Sequence, residues 1–172
     1  GGPQVRCSGT LGGNIANGSP IGDSSPVLIA LGASLKIRSY QAERIIPIED
    51  FFIDTGKQDL SQDELLVSVL VPRRKNVKRI SVEKISKRHD QDISIVLAAM
   101  VEFSDNEPRY RFAFGGMAGT PMLAKKTMES LEPDDLATDF SPLSDHRADA
   151  WYRLAVSANL VRDFLSGGAS HE

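Results

Sequence analysis

The chain has 172 residues, a 41% hydrophobic and 25% charged composition, a formal net charge of -3 and a pI near 5.7. These totals describe a water-soluble globular chain of one ordinary domain or two small ones, with no electrostatic reason to expect nucleic acid. No apolar run reaches the ~18 residues of a membrane span.

The chain opens on Gly1-Gly2-Pro3 without an initiator Met, which reads as a piece of something longer. Residues 10–23 then run TLGGNIANGSPIGD, with four glycines and several short polar side chains. Such a run predicts neither an ordinary strand nor an ordinary helix. Asp23-Ser24-Ser25-Pro26 predicts a helix start, because small oxygen-bearing side chains cap free amides and proline suits the first turn. The helix continues through the apolar Val27 to Leu31, and Gly32 stops it.

Ser34 to Tyr40 alternates apolar and polar residues and predicts a half-exposed strand carrying Leu35 and Ile37 inward. Arg44 to Ile48 predicts a second strand, its Pro47 pointing to an edge or an end. Ile48 to Ile53 reads as one aromatic-pinned turn, residues 54–63 as loop, and Glu64 to Val71 as a strand ended by Pro72. The composition turns basic and polar at Arg73, which divides the chain into residues 1–72 and 73–172.

Ile80, Val82 and Ile85 mark a further strand that breaks at Lys84 to Asp92. Ile93 to Phe103 fits helix or strand, its end favouring strand. A turn at Asn106-Glu107-Pro108 and alternation over Arg109 to Phe114 complete an antiparallel hairpin. Thr120-Pro121 predicts a helix to Leu131, with Ala124, Met128 and Leu131 on one face. The last helix, Ala148 to Leu165, places Trp151, Leu154, Ala155, Ala158, Val161 and Leu165 on its apolar stripe, Arg153 elsewhere, and Gly167-Gly168 at its end. Strands and helices come in blocks, so the predicted class is α+β.

Cys7 is the single cysteine, which excludes an internal disulfide and any cysteine-only cluster, since iron–sulfur centres need about four thiolates. His89, His146 and His171 show no metal-ligand spacing, and a protein-bound metal is not expected. Gly12 and Gly13 can bring bare N–H groups close to a ligand. Thr10 and Ser19 add hydroxyls, Asn14 an amide, and the helix after Asp23 its positive end. An acid at that helix start suits a ligand hydroxyl better than a phosphate. Neither the G-x-x-x-x-G-K-[ST] loop nor the G-x-G-x-x-G turn is present. Residues 10–23 therefore read either as one wall of a ligand site or as a connector whose Asp23 caps a helix. Lys84 reads either as a surface lysine or as a donor to an anionic or electron-rich ring. The neighbouring loop is dense in Arg88, His89, Asp90 and Asp92, of which Arg88, His89 and Asp92 could form an acid–base set only by converging. The second glycine run, FGGMAGTP at 114–121, reads better as a close-packed turn than as an anion site. No self-contained hydrolase signature is found.

TLGGNIANGSPIGDSSPVLIALGASL, KISKRHDQDISIVLAA, RFAFGGMAGTP and SDHRADAWYRLAVSANLVRDFL occur in this order. Together they resemble the flavoprotein part of the xanthine dehydrogenase and oxidase family of molybdenum hydroxylases over nearly the whole chain. The resemblance implies the second half of an FAD-binding (PCMH-type) domain in residues 1–72. It implies a CO dehydrogenase flavoprotein C-terminal-like domain, a small antiparallel sheet packed with helices, in residues 73–172.

It further implies that Thr10, Gly12, Gly13, Asn14, Ala16 and Ser19 lie along the diphosphate and ribityl chain of FAD. Asp23 would accept from a ribityl hydroxyl, Leu66 would pack on the flavin or adenine, and Lys84 would approach the polar edge of the ring. The implied parent is a cytoplasmic oxidoreductase that passes electrons from a molybdenum centre through 2Fe-2S clusters and FAD to NAD⁺ during purine oxidation. Its first FAD half, iron–sulfur modules and molybdenum-bearing subunit would be partners outside this chain. The piece alone would be inactive and would carry no catalytic residue of its own. The same architecture serves related aldehyde and carbon monoxide dehydrogenases. An assembly module that binds no FAD in isolation is the alternative.

Overall fold

A computed structural model describes residues 2–73, 75–89, 91–104 and 108–167. Two short helices, α1 (Pro3–Ser8) and α2 (Leu11–Ala16), precede the buried helix α3 (Ser24–Leu31). Next come β1 (Ser34–Arg38), β2 (Glu43–Pro47), the turn α4 (Ile48–Phe51), β3 (Phe52–Asp54), β4 (Lys57–Gln58) and β5 (Leu65–Leu70). The second part holds β6 (Val77–Ile85), β7 (Val96–Phe103), β8 (Tyr110–Gly115), β9 (Met122–Leu123), α5 (Lys125–Ser130), α6 (Leu136–Asp139) and α7 (Ala150–Leu165). The α+β class is borne out, with antiparallel sheets ordered β2-β1-β5, β3-β4 and β6-β7-β8-β9.

Strand β1 is central in its sheet, so Leu35 and Ile37 are fully buried while Lys36 and Arg38 reach outward. Strand β2 takes an edge, as Pro47 at its end requires. Helix α3 ends at Gly32 in the left-handed conformation, φ 70°, and the amide of Ala33 closes back on the carbonyl of Leu28.

Strand β7 is buried on both faces throughout its length. Ala99, Val101 and Phe103 join Ile15, Ile29, Leu35, Ile37 and Phe51 in one core. Val96, Ala98 and Met100 join Phe112, Phe114, Leu136, Val161 and Phe164 in another. Burying a side chain of this size stabilises by roughly 1.5–3 kcal/mol. A strand covered twice has no polar alternation, which is why this segment fits helix and strand equally well as sequence.

Four expectations are corrected. The glycine run forms the helix α2, because the Thr10 hydroxyl accepts the Gly13 amide at 3.0 Å and Ile15 is fully buried. Cap and burial together offset the ~1 kcal/mol that each helical glycine costs. The helix predicted at Pro121 starts only at Lys125. Met122 and Leu123 pair with Phe114 and Ala113 as β9 instead, and Leu131 stays exposed. Residues 57 and 58 form the short strand β4 against β3 rather than loop. The stripe of α7 is rotated from the predicted one: Trp151 is 74% exposed, and Arg153 is 3% exposed beside buried Ser157, Ala158, Val161 and Phe164.

The Arg153 guanidinium explains that rotation. It donates to the carbonyls of Ile95 and Gly116, the latter at 2.9 Å, and meets Asp145 at 2.9 Å. Gly116 takes φ 82°, and a Cβ there would fall 2.2 Å from the Ile95 carbonyl oxygen. The second glycine run is thus the close-packed turn that the sequence favours. Asn106, Glu107, Gly168, Asp90 and His171, which enter several expectations, lie outside the described residues.

Replacing Arg153 with Met would leave two buried carbonyls without their donor. The expected cost is about 3 kcal/mol, read from chemical denaturation. Two carboxylates give the fold an acid limit. Hydrogen bonds from Arg44 and from the Ser61 amide bring Glu64 to about 2. Burial pushes Asp145 up, but the amides of Ala148 and Arg147 and the Arg153 guanidinium bring it to about 2. Both values are depressed, so their stabilisation is complete above roughly pH 4.5 and lost as pH falls toward about 2. Melting followed by circular dichroism is expected to drop across that window, and less steeply in Glu64→Gln.

Candidate functional site

Helices α1 and α2, the 19–24 loop, the end of β6 and the loop after it enclose a groove of about 1300 Å³. Thr10, Gly13, Asn14, Ser19, Asp23 and Lys84 all line it. Residues 10–23 and Lys84, some sixty positions apart, therefore share one wall. Gly12, Ala16 and Leu66 are not among the lining residues. Leu66 packs against the first core, and a Cβ on Gly12 would touch it at 4.0 Å. Leu66 and Gly12 thus meet on the side of α2 that rests on β5.

Asp23 does not cap α3. Its backbone is helical (φ -71°, ψ -26°) rather than extended, and its side chain makes no bond to the first turn. The carboxylate turns instead to the second part of the molecule. Lys84 Nζ donates to Oδ2 at 2.7 Å and Ser94 Oγ donates to Oδ1 at 2.6 Å. Burial pushes this carboxyl up, but the bonds from Lys84 and Ser94 outweigh it and hold it below the usual range. Lys84 lies within β6, opposite Leu97, so the ladder that extends past it also aims it.

The loop 19–22 is a turn held by the Gly22 amide on the Ser19 carbonyl at 3.1 Å and the Ile21 amide on Ser19 Oγ at 3.4 Å. Ser24 Oγ donates to Asn14 Oδ1, tying α2 to α3. A Cβ on Gly13 would stand 2.8 Å from the Thr10 hydroxyl, so glycine at 13 leaves the cap its room. Gly12 and Gly13 keep helical backbone angles, and positive φ occurs instead at Gly18, Gly32, Gly56, Gly116 and Gly167 among the described glycines. Their contribution is the missing side chain, not an unusual turn.

Arg88 and Asp92 meet, guanidinium to carboxylate at 3.7 Å, but among the described residues no hydrogen bond or ion pair joins His89 to them. Asp92 accepts the amides of Ile93 and Arg88, both at 2.9 Å, and these bonds hold its carboxyl below the usual range while they shape the loop. Arg6 and Gln91 line the groove and went unnoticed in the sequence, where no spacing links them to residues 10–23. Among the described residues, no group of His, Cys, Asp and Glu could hold a metal ion, and no helix is long and apolar enough to cross a membrane.

The donor set suits a long ligand rich in oxygen. Thr10 and Ser19 use their oxygens as acceptors toward backbone amides, which leaves their O–H groups to donate. Lys84 has three N–H donors and gives one to Asp23. Hydroxyls, an amide and cations along an open groove suit an extended ligand that presents anionic and hydroxyl oxygens.

The family described as FAD binding domain in molybdopterin dehydrogenase matches residues 1–74, and that described as CO dehydrogenase flavoprotein C-terminal domain matches residues 82–167. The chain is 38% identical to nicotinate hydroxylase of Emericella nidulans over 76% of its length. It is 37% identical to xanthine dehydrogenase/oxidase of Gallus gallus over 78% of its length. It spans only 10% of each of those relatives. In three dimensions it superposes on a carbon monoxide dehydrogenase chain from Hydrogenophaga pseudoflava with a TM-score of 0.83 at 25% identity, covering 97% of this chain and 63% of that one. The chain belongs to the flavoprotein family of the molybdenum hydroxylases, and residues 1–74 match its FAD-binding domain.

The capping hydroxyl can be tested without cofactor. Thr10→Ala is expected to lose about 1 kcal/mol, concentrated in α2, and Thr10→Ser to keep it. Amide hydrogen exchange at Gly13 reads the difference.

Proposed function

We propose that this groove is one wall of the FAD site in a xanthine dehydrogenase-type molybdenum hydroxylase. Thr10, Gly13, Asn14 and Ser19 would hold the diphosphate and ribityl chain, and Asp23 would accept from a ribityl hydroxyl. Lys84 would face the polar edge of the ring. Gly12, Ala16 and Leu66 would support this wall from within α2 and β5. Bound FAD supplies the redox step, carrying electrons from 2Fe-2S clusters elsewhere in the enzyme to NAD⁺ during oxidation of hypoxanthine or xanthine.

The observation that carries the reading is the Asp23–Lys84 contact at 2.7 Å inside a groove that also gathers residues 10–19. The pair places an acceptor and a donor side by side, which suits a ligand that presents hydroxyls next to a hydrogen-bonding ring. Residues 1–72 would form the second half of the FAD domain and residues 73–172 its C-terminal companion. The first FAD half, the iron–sulfur modules and a molybdenum-bearing subunit would be the partners. A thiol-reducing cytoplasmic setting agrees with the exposed, unpaired Cys7.

A second reading is a docking module that holds no FAD alone. Edge strand β5 favours it, because Leu65 is 73% and Val67 53% exposed. Flavin fluorescence during titration of this chain with FAD separates the two, and weak or absent binding is expected. In the intact enzyme, Asp23→Ala and Lys84→Ala are each expected to release flavin on gel filtration. Full flavin occupancy in both would overturn the site. Reduction of NAD⁺ with xanthine, but not with nicotinate, an aldehyde or carbon monoxide, checks the substrate and acceptor.

A further inference from the structure

The Asp23–Lys84 contact joins the two parts of the chain, and neither partner is anchored by its own element alone. Asp23 follows a turn, and Lys84 is a long side chain one residue from the end of β6. The third member of the contact is Ser94, which is 1% exposed. Its hydroxyl donates to Oδ1 of Asp23 at 2.6 Å, while Lys84 donates to Oδ2.

Ser94 is itself held from below. The next residue, Ile95, gives its amide to the Ile85 carbonyl at 2.7 Å, and its carbonyl accepts from buried Arg153. The same guanidinium holds the Gly116 carbonyl, while the Gly116 amide donates to Pro20 at 2.8 Å. One arginine on α7 thereby braces both peptide segments that reach across to residues 20–23.

We propose that Ser94 is a positioning residue of the flavin site, acting through Asp23. This rests on the FAD reading of the groove. By occupying one carboxylate oxygen, Ser94 sets the rotation of the other, and so sets where Asp23 and Lys84 meet a ligand. A buried hydroxyl that serves only packing would tolerate alanine with little effect on the groove.

The test uses the intact FAD-loaded enzyme and measures flavin released per unit time after dilution. Ser94→Ala is expected to lose flavin roughly tenfold faster, the scale of one hydrogen bond to a charged group. Ser94→Thr, which keeps the hydroxyl, should restore the rate to within about twofold if that one bond is what matters. In the double variant Ser94→Ala/Asp23→Ala, loss should match that of Asp23→Ala alone, because Ser94 works through that carboxylate. Rapid loss in Asp23→Ala with unchanged loss in Ser94→Ala overturns the inference and leaves the site standing. Fully additive losses in the double variant, or a Thr variant as poor as Ala, overturn it as well. If Asp23→Ala, Lys84→Ala and Ser94→Ala all hold flavin normally, the FAD reading fails and takes this inference with it.

Discussion

Strand β7 must be covered on both faces, and most of the molecule answers to that constraint. On one face lies α3, with the β1 sheet behind it; on the other lies α7, with α5 and α6 completing the layer. The first core is therefore common to both matched regions of the chain, since Ile29 and Leu35 share it with Ala99 and Val101. A Val, Ala and Met strand with no outward side chain could not stand at a sheet edge without exposing apolar surface.

The groove follows from the same arrangement. Packing α3 on β7 and β8 brings the start of that helix, Asp23, close to the end of β6 and the approach to β7. Those segments carry Lys84 and Ser94. Arg111 strengthens the junction by donating to the carbonyls of Ile29 and Ala30 at the end of α3 and to Glu49. The proposed flavin-facing groups are thus assembled where two pieces of chain meet, as ligand sites commonly are.

Charge is handled differently at the opposite edge. Glu102, nearly buried, gathers Lys78, Arg79 and Arg109, and Arg79 also lies over the ring of Phe164 at 4.1 Å. That cluster pairs a buried carboxylate with three cations. The Asp23 carboxylate takes bonds from Lys84 and Ser94 and opens onto a large groove, which is why it reads as a site.

Local pattern alone determined much of this protein. Alternation at Leu35 and Ile37, the stop at Gly32, the edge position implied by Pro47 and the hairpin of Tyr110 to Phe114 are all short-range consequences of residue type. The joint occurrence of the glycine and basic motifs pointed to the flavoprotein family. Tertiary structure decided the rest, because the deciding partners lie far away in sequence. Asp23 abandons the cap for a lysine 61 positions on, Arg153 goes inward for two distant carbonyls, and Ser94 donates to a carboxylate 71 positions before it. Even the glycine run depended on context: its helix exists because Thr10 caps it and a shared core buries Ile15.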